Sequence, residues 1–315
     1  MAVKIDGLIL KGVGGIYTVL PDRKEEVPSS FLHADGTIDC RARGVLRHEK
    51  ILPLVGDRVR LNLDTDFSID SVYPRKNALI RPPIANLDFI FILLPPADPS
   101  PDLCYIDKLL CICEHNRIEP VIVVSKSDLA PQQAEKLCAL YRQCGFFALC
   151  ESKHSPQSIE ALRDFICQHC SGKVSAFAGA SGVGKSTLLN HLFPLFYAET
   201  GELSKKIGRG RHTTRHVELF LPTLPTELPS FFADTPGFTM LDFTRFDFLS
   251  IEDLPLAFRD FRPYLSECRY TDCTHTKETE CGITQAVQNG TIPKSRHESF
   301  LKIREELQKK ARNKF

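Results

Sequence analysis

The sequence predicts a multi-domain protein with an N-terminal β-barrel, a central α/β domain and a C-terminal helical domain. Short alternating strand patterns fill about the first 75 positions, and apolar strands then alternate with helical patterns. A cluster of cysteines and a histidine precedes a final basic helix. A length of 315 residues allows two or three domains. We expect domains at residues 1–75, 76–245 and 246–315.

The overall composition is that of an ordinary globular protein. Hydrophobic residues make up 43% and charged residues 25% of the chain, and the formal net charge is +1. Total charge therefore does not indicate nucleic-acid binding, which would have to depend on local patches. The amino terminus lacks the pattern of a signal peptide, and no apolar run is long enough for a membrane span. We expect a cytoplasmic monomer with no membrane partner.

The chain contains twelve cysteines. Because the cytosol is reducing, a disulfide framework is not expected, and most of these residues are predicted to be small buried hydrophobes. This prediction covers eight cysteines that have no histidine at ligand spacing: Cys104, Cys111, Cys113, Cys138, Cys144, Cys150, Cys167 and Cys170.

The first domain carries five short strand patterns separated by Gly, Pro, Asp and Asn. Five strands in about 70 residues are typical of an OB-type barrel, a frequent nucleic-acid binder. A basic cluster lies within this region and is equally consistent with a solvated surface and with RNA contact. It consists of Arg41, Arg43, Arg47, His48 and Lys50.

A βα pattern begins after a predicted linker at Pro74–Pro83. Apolar runs at Asp88–Leu94 and Glu119–Val124 predict buried parallel strands, with a helix at Pro101–His115 between them. The second strand leads directly into a polar tetrapeptide at the place where α/β folds bind ligands. Its residues are Ser125, Lys126, Ser127 and Asp128.

This tetrapeptide is similar to the N-K-x-D motif of guanine-nucleotide proteins. The carboxylate of that motif accepts hydrogen bonds from guanine N1–H and the exocyclic amine. Here Ser125 replaces Asn and can brace the loop only through a hydroxyl, while Lys126 and Asp128 keep their register. The alternative is a plain strand end at which Asp128 caps the next helix. A weaker signal, Ser152-Lys153, takes the place of an S-A-K loop that would support the base.

The central motif is a phosphate-binding loop of the form G-x-x-x-x-G-K-S. An apolar run precedes it as a strand would, and Leu188–Leu192 follows as a helix would. Glycines let backbone N–H groups surround phosphate oxygens, the lysine reaches the β- and γ-phosphates, and the serine can ligate Mg²⁺. The alternative is a glycine-rich turn that binds nothing. The predicted loop comprises Gly179, Ala180, Ser181, Gly182, Val183, Gly184, Lys185, Ser186 and Thr187.

A third motif, D-x-x-G, follows a long basic loop at Gly201–His216. Asp234 would hold Mg²⁺ through water, and the Gly237 N–H would sense the γ-phosphate. In the basic loop, Thr214 is preferred to Thr213 as the residue that closes over the metal. We therefore expect Mg²⁺ to bind with GTP at Ser186, Thr214 and Asp234.

The motifs occur in the order base-reading tetrapeptide, phosphate loop, D-x-x-G. Ordinary GTPases begin with the phosphate loop, so this order indicates a circular permutation, which keeps a site intact when domain termini lie close together. Phe238 follows D-x-x-G, where Ras-like proteins have a water-positioning Gln. His212 is the nearest candidate for a catalytic group, and RNA contact or no contact is the equal alternative.

Four potential metal ligands lie within fourteen positions near the C-terminus. Three thiolates and one imidazole fit a tetrahedral Zn²⁺ site, and four protein ligands leave no open position, so the zinc would be structural. We expect one zinc per chain, the alternative being unliganded cysteines in a reducing cell. The predicted ligands are Cys268, Cys273, His275 and Cys281.

The final helical pattern spans Pro293–Phe315. Ile303 and Leu307 lie on its apolar side, and its many cations, Arg296 among them, are predicted to lie on the other side. A solvated helix and a helix that contacts RNA phosphate are equally consistent with this pattern.

Together these motifs resemble the RsgA (YjeQ) family of bacterial small-ribosomal-subunit biogenesis GTPases. The resemblance covers the barrel, the permuted motifs with Arg211–Thr214, and the zinc ligands. It implies an OB domain, a circularly permuted GTPase domain and a zinc-finger domain. It also implies binding to the 30S subunit and its 16S rRNA late in assembly, GTP hydrolysis stimulated by that subunit, and His212 as the catalytic histidine. Ser125 departs from the family's usual Asn.

Two other functions stay open from the residues alone. One is a pure RNA-binding module with a degenerate nucleotide site, for which Ser125 is the indication. The other is a kinase or other ATPase that uses the same phosphate loop. Asp128 argues against the latter, because adenine lacks the pair of donors that a carboxylate reads.

Overall fold

The structure, a computed structural model, describes residues 4–63, 67–194, 217–234 and 248–313, without the side chains of Arg47, Asp234 and Asn313. The chain divides into two units. The first, here called the barrel unit, comprises residues 1–88, 170–176 and 198–237. The second, here called the sheet unit, comprises residues 89–169, 177–197 and 238–315.

Five strands of the barrel unit close on themselves in the order β1-β2-β3-β5-β4. Strand β1 pairs antiparallel with β2 and β4, and β3 pairs parallel with β5. Every second side chain points inward, so Ile9, Val19, Val59 and Leu61 are fully buried in one core. This confirms the predicted five-stranded barrel. The strands are β1 (Lys4–Val13), β2 (Ile16–Pro21), β3 (Ile38–Ala42), β4 (Arg58–Asn62) and β5 (Ser68–Val72), with the short helix α1 (Gly44–His48) after β3.

The outer surface of the barrel carries paired charges. Arg43, part of the predicted basic cluster, and Lys4 both contact the Asp70 carboxylate. These two cations hold the pKa of Asp70 below its ordinary value. Arg41 and Lys50 of the same cluster are exposed. The barrel's basic surface is therefore smaller than the sequence indicates.

The stretch Pro74–Pro83, predicted as a linker, instead begins an ordered hairpin of β6 (Ala78–Leu79) and β7 (Ile84–Ala85). Asn77 closes it, because its side-chain amide donates to the Leu87 carbonyl at 2.8 Å and its oxygen accepts from the Leu87 N–H at 2.9 Å. The linker prediction was wrong because the Asn77 side chain supplies the hydrogen bonds at the base of the hairpin, where the short strands do not pair.

In the sheet unit, strands β8 (Phe89–Leu94), β9 (Glu119–Val124) and β10 (Phe147–Cys150) run parallel in the order β10-β9-β8. The next strand, β11 (Val174–Gly179), contributes its last three residues to this unit. The helices between and after these strands are α2 (Leu103–His115), α3 (Pro131–Gln143), α4 (Pro156–His169) and α5 (Lys185–Leu192). In the barrel unit, the first residues of β11 are followed in the sheet order by β13 (Phe231–Asp234) and β12 (Leu219–Phe220).

The C-terminal part of the sheet unit is built from short helices around an aromatic core. Phe258, Phe261 and Phe300 pack with ring centroids 4.8–5.5 Å apart. None of the helices in the described ranges is both long and apolar enough to cross a membrane. The elements are α6 (Leu254–Ala257), a 3₁₀ helix at Arg259–Glu267, α7 (Gly282–Gln288) and α8 (Lys294–Asn313).

One cation of α8 contradicts the prediction of an exposed basic side. Arg296 is 0% exposed, and its guanidinium donates to Asp107 of α2 and to Asp260 of the 3₁₀ helix. It also lies 4.5 Å above the Phe258 ring. The reason is the helical repeat, which places Arg296 on the same stripe as Phe300, Ile303 and Leu307.

Candidate nucleotide site and metal centre

The phosphate-loop motif connects β11 to α5, as its strand–loop–helix pattern predicts. A Cβ on Gly179 would lie 2.9 Å from both the Leu93 carbonyl oxygen and a Val183 methyl group, so only glycine fits there. Gly184 has φ +93°, a conformation that favours glycine. The loop therefore turns tightly, with Val183 buried and Ser186 and Thr187 exposed at the start of α5. Backbone N–H groups at such a helix start suit phosphate oxygens.

Ser125 joins the base-reading tetrapeptide to the phosphate loop. Its hydroxyl donates to the Val183 carbonyl oxygen at 2.7 Å, and its own N–H donates to the Leu94 carbonyl at 3.0 Å. Ser125 is 1% exposed, so water does not compete for this bond. The hydroxyl thus performs the bracing that the sequence assigned to an Asn amide.

Asp128 is placed by the loop that follows β10. Lys126 has φ +52° and turns the chain into a 3₁₀ helix at Ser127–Leu129. The Ser127 N–H then donates to the Glu151 carbonyl at 2.9 Å, and the Ser152 hydroxyl donates to Asp128 Oδ1 at 2.6 Å. The Asp128 carboxylate is consequently exposed but fixed in direction, as reading a base edge requires.

The hydrogen bond from Ser152 also lowers the pKa of Asp128. Asp128 therefore stays ionised and acts only as an acceptor near neutral pH. The alternative role as a helix cap is wrong, because α3 begins after Ala130 without a side-chain cap. The weak Ser152 signal in the sequence thus marks a direct partner of Asp128.

Lys126 links the same two segments from the other side. Its Cε lies 3.8 Å from the position that a Cβ on Gly184 would take, and its Nζ donates to the Asp98 carbonyl at 3.1 Å. The apolar stem of the lysine therefore lies along the end of the phosphate loop. Two motifs that are more than fifty positions apart in the chain form one surface.

Several predicted site residues lie outside the described residues. Asp234 ends β13, but only its backbone is described. Ser186 is the one predicted Mg²⁺ ligand whose side chain is described, and it lies in the first turn of α5. The others outside the described residues are His212, Thr214 and Gly237, together with Thr213.

The four predicted zinc ligands converge on one point. Their ligand atoms all lie within 4.8 Å of one another. His275 Nδ1 is 3.5 Å from the sulfurs of both Cys268 and Cys281, which are 3.8 Å apart. A tetrahedral ion with Zn–S bonds of about 2.3 Å and Zn–N bonds of about 2.0 Å places a nitrogen and a sulfur about 3.5 Å apart and two sulfurs about 3.8 Å apart. The donor set therefore fits zinc in chemistry, and the separations among Cys268, His275 and Cys281 fit it in spacing.

The protonation of two predicted ligands also bears on metal binding at this cluster. Burial lowers the pKa of His275, which keeps the imidazole neutral and able to coordinate. Burial and the neighbouring thiols raise the pKa of Cys273 to about 12, so a bound cation is what would make it a thiolate at neutral pH.

Comparison with known proteins shows the family. Sequence models of the RsgA N-terminal domain and the RsgA GTPase match residues 6–68 and 72–244. The chain belongs to the RsgA GTPase family. As a member of it, the protein is a GTP-hydrolysing enzyme with a barrel, a permuted GTPase domain and a Cys₃His cluster.

The RsgA relatives match over nearly their whole length. The "small ribosomal subunit biogenesis GTPase RsgA" of Caldanaerobacter subterraneus is 37% identical, with 99% of both chains covered. The protein of the same name from Alkaliphilus metalliredigens is also 37% identical, with 97% of this chain and 99% of that protein covered. Each match therefore spans the barrel and GTPase regions and continues into the C-terminal region of this chain.

Two solved structures share the fold. YloQ, described as a circularly permuted GTPase, is 32% identical with a TM-score of 0.74 and covers 98% of this chain and 96% of its own. YjeQ from Thermotoga maritima is 29% identical with a TM-score of 0.76 and covers 97% and 99%. The circular permutation that the motif order predicts is therefore confirmed.

One supporting residue of the RsgA metal cluster was missed in the sequence. The Glu278 carboxylate accepts hydrogen bonds from the N–H groups of Thr274 and Thr276, both at 2.9 Å, which lie on either side of His275. The Thr274 hydroxyl also donates to this carboxylate, and these bonds together hold the pKa of Glu278 far below the ordinary value. Its position between the ligands His275 and Cys281 was the available signal, since loops that carry metal ligands need a second layer of contacts.

Proposed function

We propose that the chain hydrolyses GTP to GDP and phosphate during late assembly of the 30S subunit, with its turnover stimulated by that subunit. The observation that carries the guanine site is the double link of Ser125 to Val183 and of Ser152 to Asp128. The assembly role is supported by the names of relatives, which are small ribosomal subunit biogenesis GTPases.

In this proposal, Ser125–Asp128 bind the base and the loop at 179–187 binds the phosphates. The ionised Asp128 accepts from guanine N1–H and the exocyclic amine, and the Lys126 stem covers the base and ribose. Lys185 neutralises the β- and γ-phosphates. Gly237 N–H would report the γ-phosphate, and Mg²⁺ bound with GTP would be held by Ser186, Thr214 and Asp234.

We assign catalysis to His212, because Phe238 cannot orient water. Its position beside the pair Thr213-Thr214, of which Thr214 would close over Mg²⁺, supports this assignment. In this proposal the 30S subunit positions the basic loop that carries His212. The histidine would then act only in the complex, which accounts for the stimulation of turnover by the subunit. Replacing His212 should then reduce the stimulated rate and leave nucleotide affinity unchanged.

The proposed partners follow from the domains. Residues 1–75 and the basic helix within 246–315 would contact 16S rRNA, and residues 76–245 would bind GTP and GDP. Exposed Arg41 and Lys50 on the barrel support the first contact. We propose a cytoplasmic monomer.

GTP turnover with and without purified 30S subunits tests the function. We expect the subunit to raise turnover at least about tenfold, as activating partners do for GTPases that lack a catalytic group in place. Lys185→Ala should abolish turnover and leave the unfolding temperature unchanged. If the subunit binds but turnover stays the same, the RNA-binding module is the better description.

The metal centre is proposed to hold one structural Zn²⁺. The sulfur and nitrogen separations support zinc, and such a site contributes on the order of 10 kcal/mol to folding of its segment. Elemental analysis should find about one zinc per chain in the wild type and much less in Cys281→Ser. Full occupancy by iron, or no metal in a folded wild-type chain, would contradict the assignment.

A further inference from the structure

Two cysteines outside the metal cluster lie in direct contact. Cys138 of α3 and Cys150 at the end of β10 have their sulfur atoms 3.1 Å apart. A disulfide bond is about 2.05 Å long, so about 1 Å separates this contact from a bond. The prediction of buried cysteines holds for Cys138, whereas Cys150 is partly exposed. One sulfur is therefore accessible and the other lies directly behind it.

The surroundings of the pair suit thiol chemistry. Arg142, one turn after Cys138 in α3, donates to the Ala148 carbonyl at 2.9 Å and to Glu135 at 3.0 Å. Its guanidinium stabilises negative charge on the Cys138 sulfur. Glu135 Oε2 lies 3.9 Å from the Cys150 sulfur, where a carboxylate can take the thiol proton. Cys138 is buried, and burial raises its pKa, whereas Cys150 is partly exposed, so peroxide reaches the Cys150 sulfur first.

We propose that Cys138 and Cys150 form an oxidative modification site, in which hydrogen peroxide converts the two thiols into an intramolecular disulfide. The Cys150 thiolate attacks the peroxide, which gives a sulfenic acid and one water after the sulfur's proton is returned. The Cys138 thiol then displaces the hydroxyl group from the Cys150 sulfur, which forms the S–S bond and releases a second water. Two thiols are oxidised by two electrons, and peroxide is reduced to two waters.

The site is connected to the proposed base-binding loop. Cys150 pairs with Val124, and the next residue, Glu151, donates its N–H to the Val124 carbonyl at 2.8 Å. Glu151 and Ser152 in turn hold Ser127 and Asp128. A shift of about 1 Å at Cys150 therefore reaches the groups that direct the Asp128 carboxylate. This consequence depends on the proposed guanine site, whereas formation of the disulfide does not.

Peptide mapping tests the bond itself. The full-length protein is treated with a small excess of hydrogen peroxide, free thiols are blocked with N-ethylmaleimide, and the unreduced digest is analysed by mass spectrometry. We expect a linked peptide pair containing Cys138 and Cys150 that dithiothreitol removes. A Cys150 sulfenic acid trapped by dimedone without this linkage would overturn the proposal, as would unreacted Cys150 while other cysteines are oxidised.

Matched variants separate this pair from the other thiols. Cys138→Ala should leave a dimedone-reactive sulfenic acid on Cys150, because the second sulfur is missing. Cys167→Ser removes another partly exposed cysteine, in α4, and should leave the linkage unchanged. Loss of the linkage in Cys167→Ser would assign the reaction to a different pair.

Nucleotide titration tests the connection to the base loop. GDP affinity of the oxidised wild type should fall at least about threefold and recover with dithiothreitol, while Cys138→Ala should show no such change. If the disulfide forms and affinity does not change, the connection is disproved. If the reduced protein does not bind GDP at all, the proposed function fails, and the mass-spectrometric result still decides the modification site.

Discussion

At the scale of residues, the Ser125 hydroxyl makes the bracing contact for which the N-K-x-D motif has an Asn amide. Its hydroxyl is buried and bonded to the Val183 carbonyl oxygen. Without that donor, the carbonyl would stay buried and lose its partner, and an unsatisfied buried group costs about 1–3 kcal/mol. The serine thus supports the fold of the phosphate loop as well as the position of the loop that we propose reads the base.

We predict that Ser125→Ala lowers the free energy of unfolding by about 1–2 kcal/mol and weakens GDP binding several-fold. Chemical denaturation and a fluorescent GDP titration measure the two effects. Ser175→Ala is the matched control, because Ser175 in β11 is equally buried and its hydroxyl has no hydrogen-bond partner in the described part of the chain. Equal losses in both variants would mean that the Ser125 bond contributes nothing specific.

The residues proposed to read the base and to hold the metal could be recognised in the sequence because their chemistry is local. Asp128, the phosphate loop and the four ligands follow from residue type and spacing. The Val183 carbonyl as partner of Ser125 was not predictable, because the two positions are 58 residues apart and only the folded sheet brings them together. The same reason explains why Cys138 and Cys150 were described as separate buried residues.

At the scale of elements, α8 is attached to α2 by ion pairs as well as by apolar contacts. Arg296 binds Asp107 and Asp260, while Lys108 donates to Glu306 at 2.7 Å. A second group joins the 3₁₀ helix to α2, where Arg259 and Arg262 both contact Glu114. The C-terminal elements are therefore fixed to the helix that follows β8.

We predict that Arg296→Met lowers the free energy of unfolding by about 3–5 kcal/mol, because two carboxylates would stay buried without their cation. Thermal and urea unfolding measure the loss. Lys302→Met, an exposed cation of the same helix, should change stability by less than about 0.5 kcal/mol. A wild-type unfolding curve for Arg296→Met would show that the buried ion pairs do not stabilise the attachment of α8.

Element positions were well predicted, but the environment of individual cations was not. The apolar runs of β8, β9 and β11 and the helix α2 lie where their patterns placed them. Its charge led to the prediction that Arg296 lies on the exposed side of α8. Its helical spacing from Phe300 and Leu307 instead places it on the buried side of that helix. Spacing gives the better prediction when the two disagree and an acidic partner lies on a facing helix.

At the scale of the whole molecule, the chain returns to the barrel unit after leaving it. This unit takes residues 1–88, 170–176 and 198–237, so it is not one continuous stretch. Boundaries drawn along the sequence at residues 75 and 245 do not describe such returns, and they stay a prediction. The motif order did predict the permutation, because order along the chain is what a permutation changes.

The central claim is that Asp128 and the phosphate loop form one guanine-nucleotide site. Replacing Asp128 with Asn changes one of its two acceptors into a donor, which suits xanthine, whose 2-oxo group takes the place of the guanine amine. Asp128→Asn should therefore lose GDP affinity by about 100-fold, since hydrogen bonds to a charged group contribute about 1.5–3 kcal/mol.

Titration of wild type and Asp128→Asn with GDP, ADP and xanthosine diphosphate tests this claim most directly. We expect the wild type to prefer GDP over ADP by at least about 100-fold. The variant should prefer xanthosine diphosphate, with an unchanged unfolding temperature. Equal binding of GDP and ADP by the wild type, or unchanged GDP affinity in Asp128→Asn, would contradict the claim.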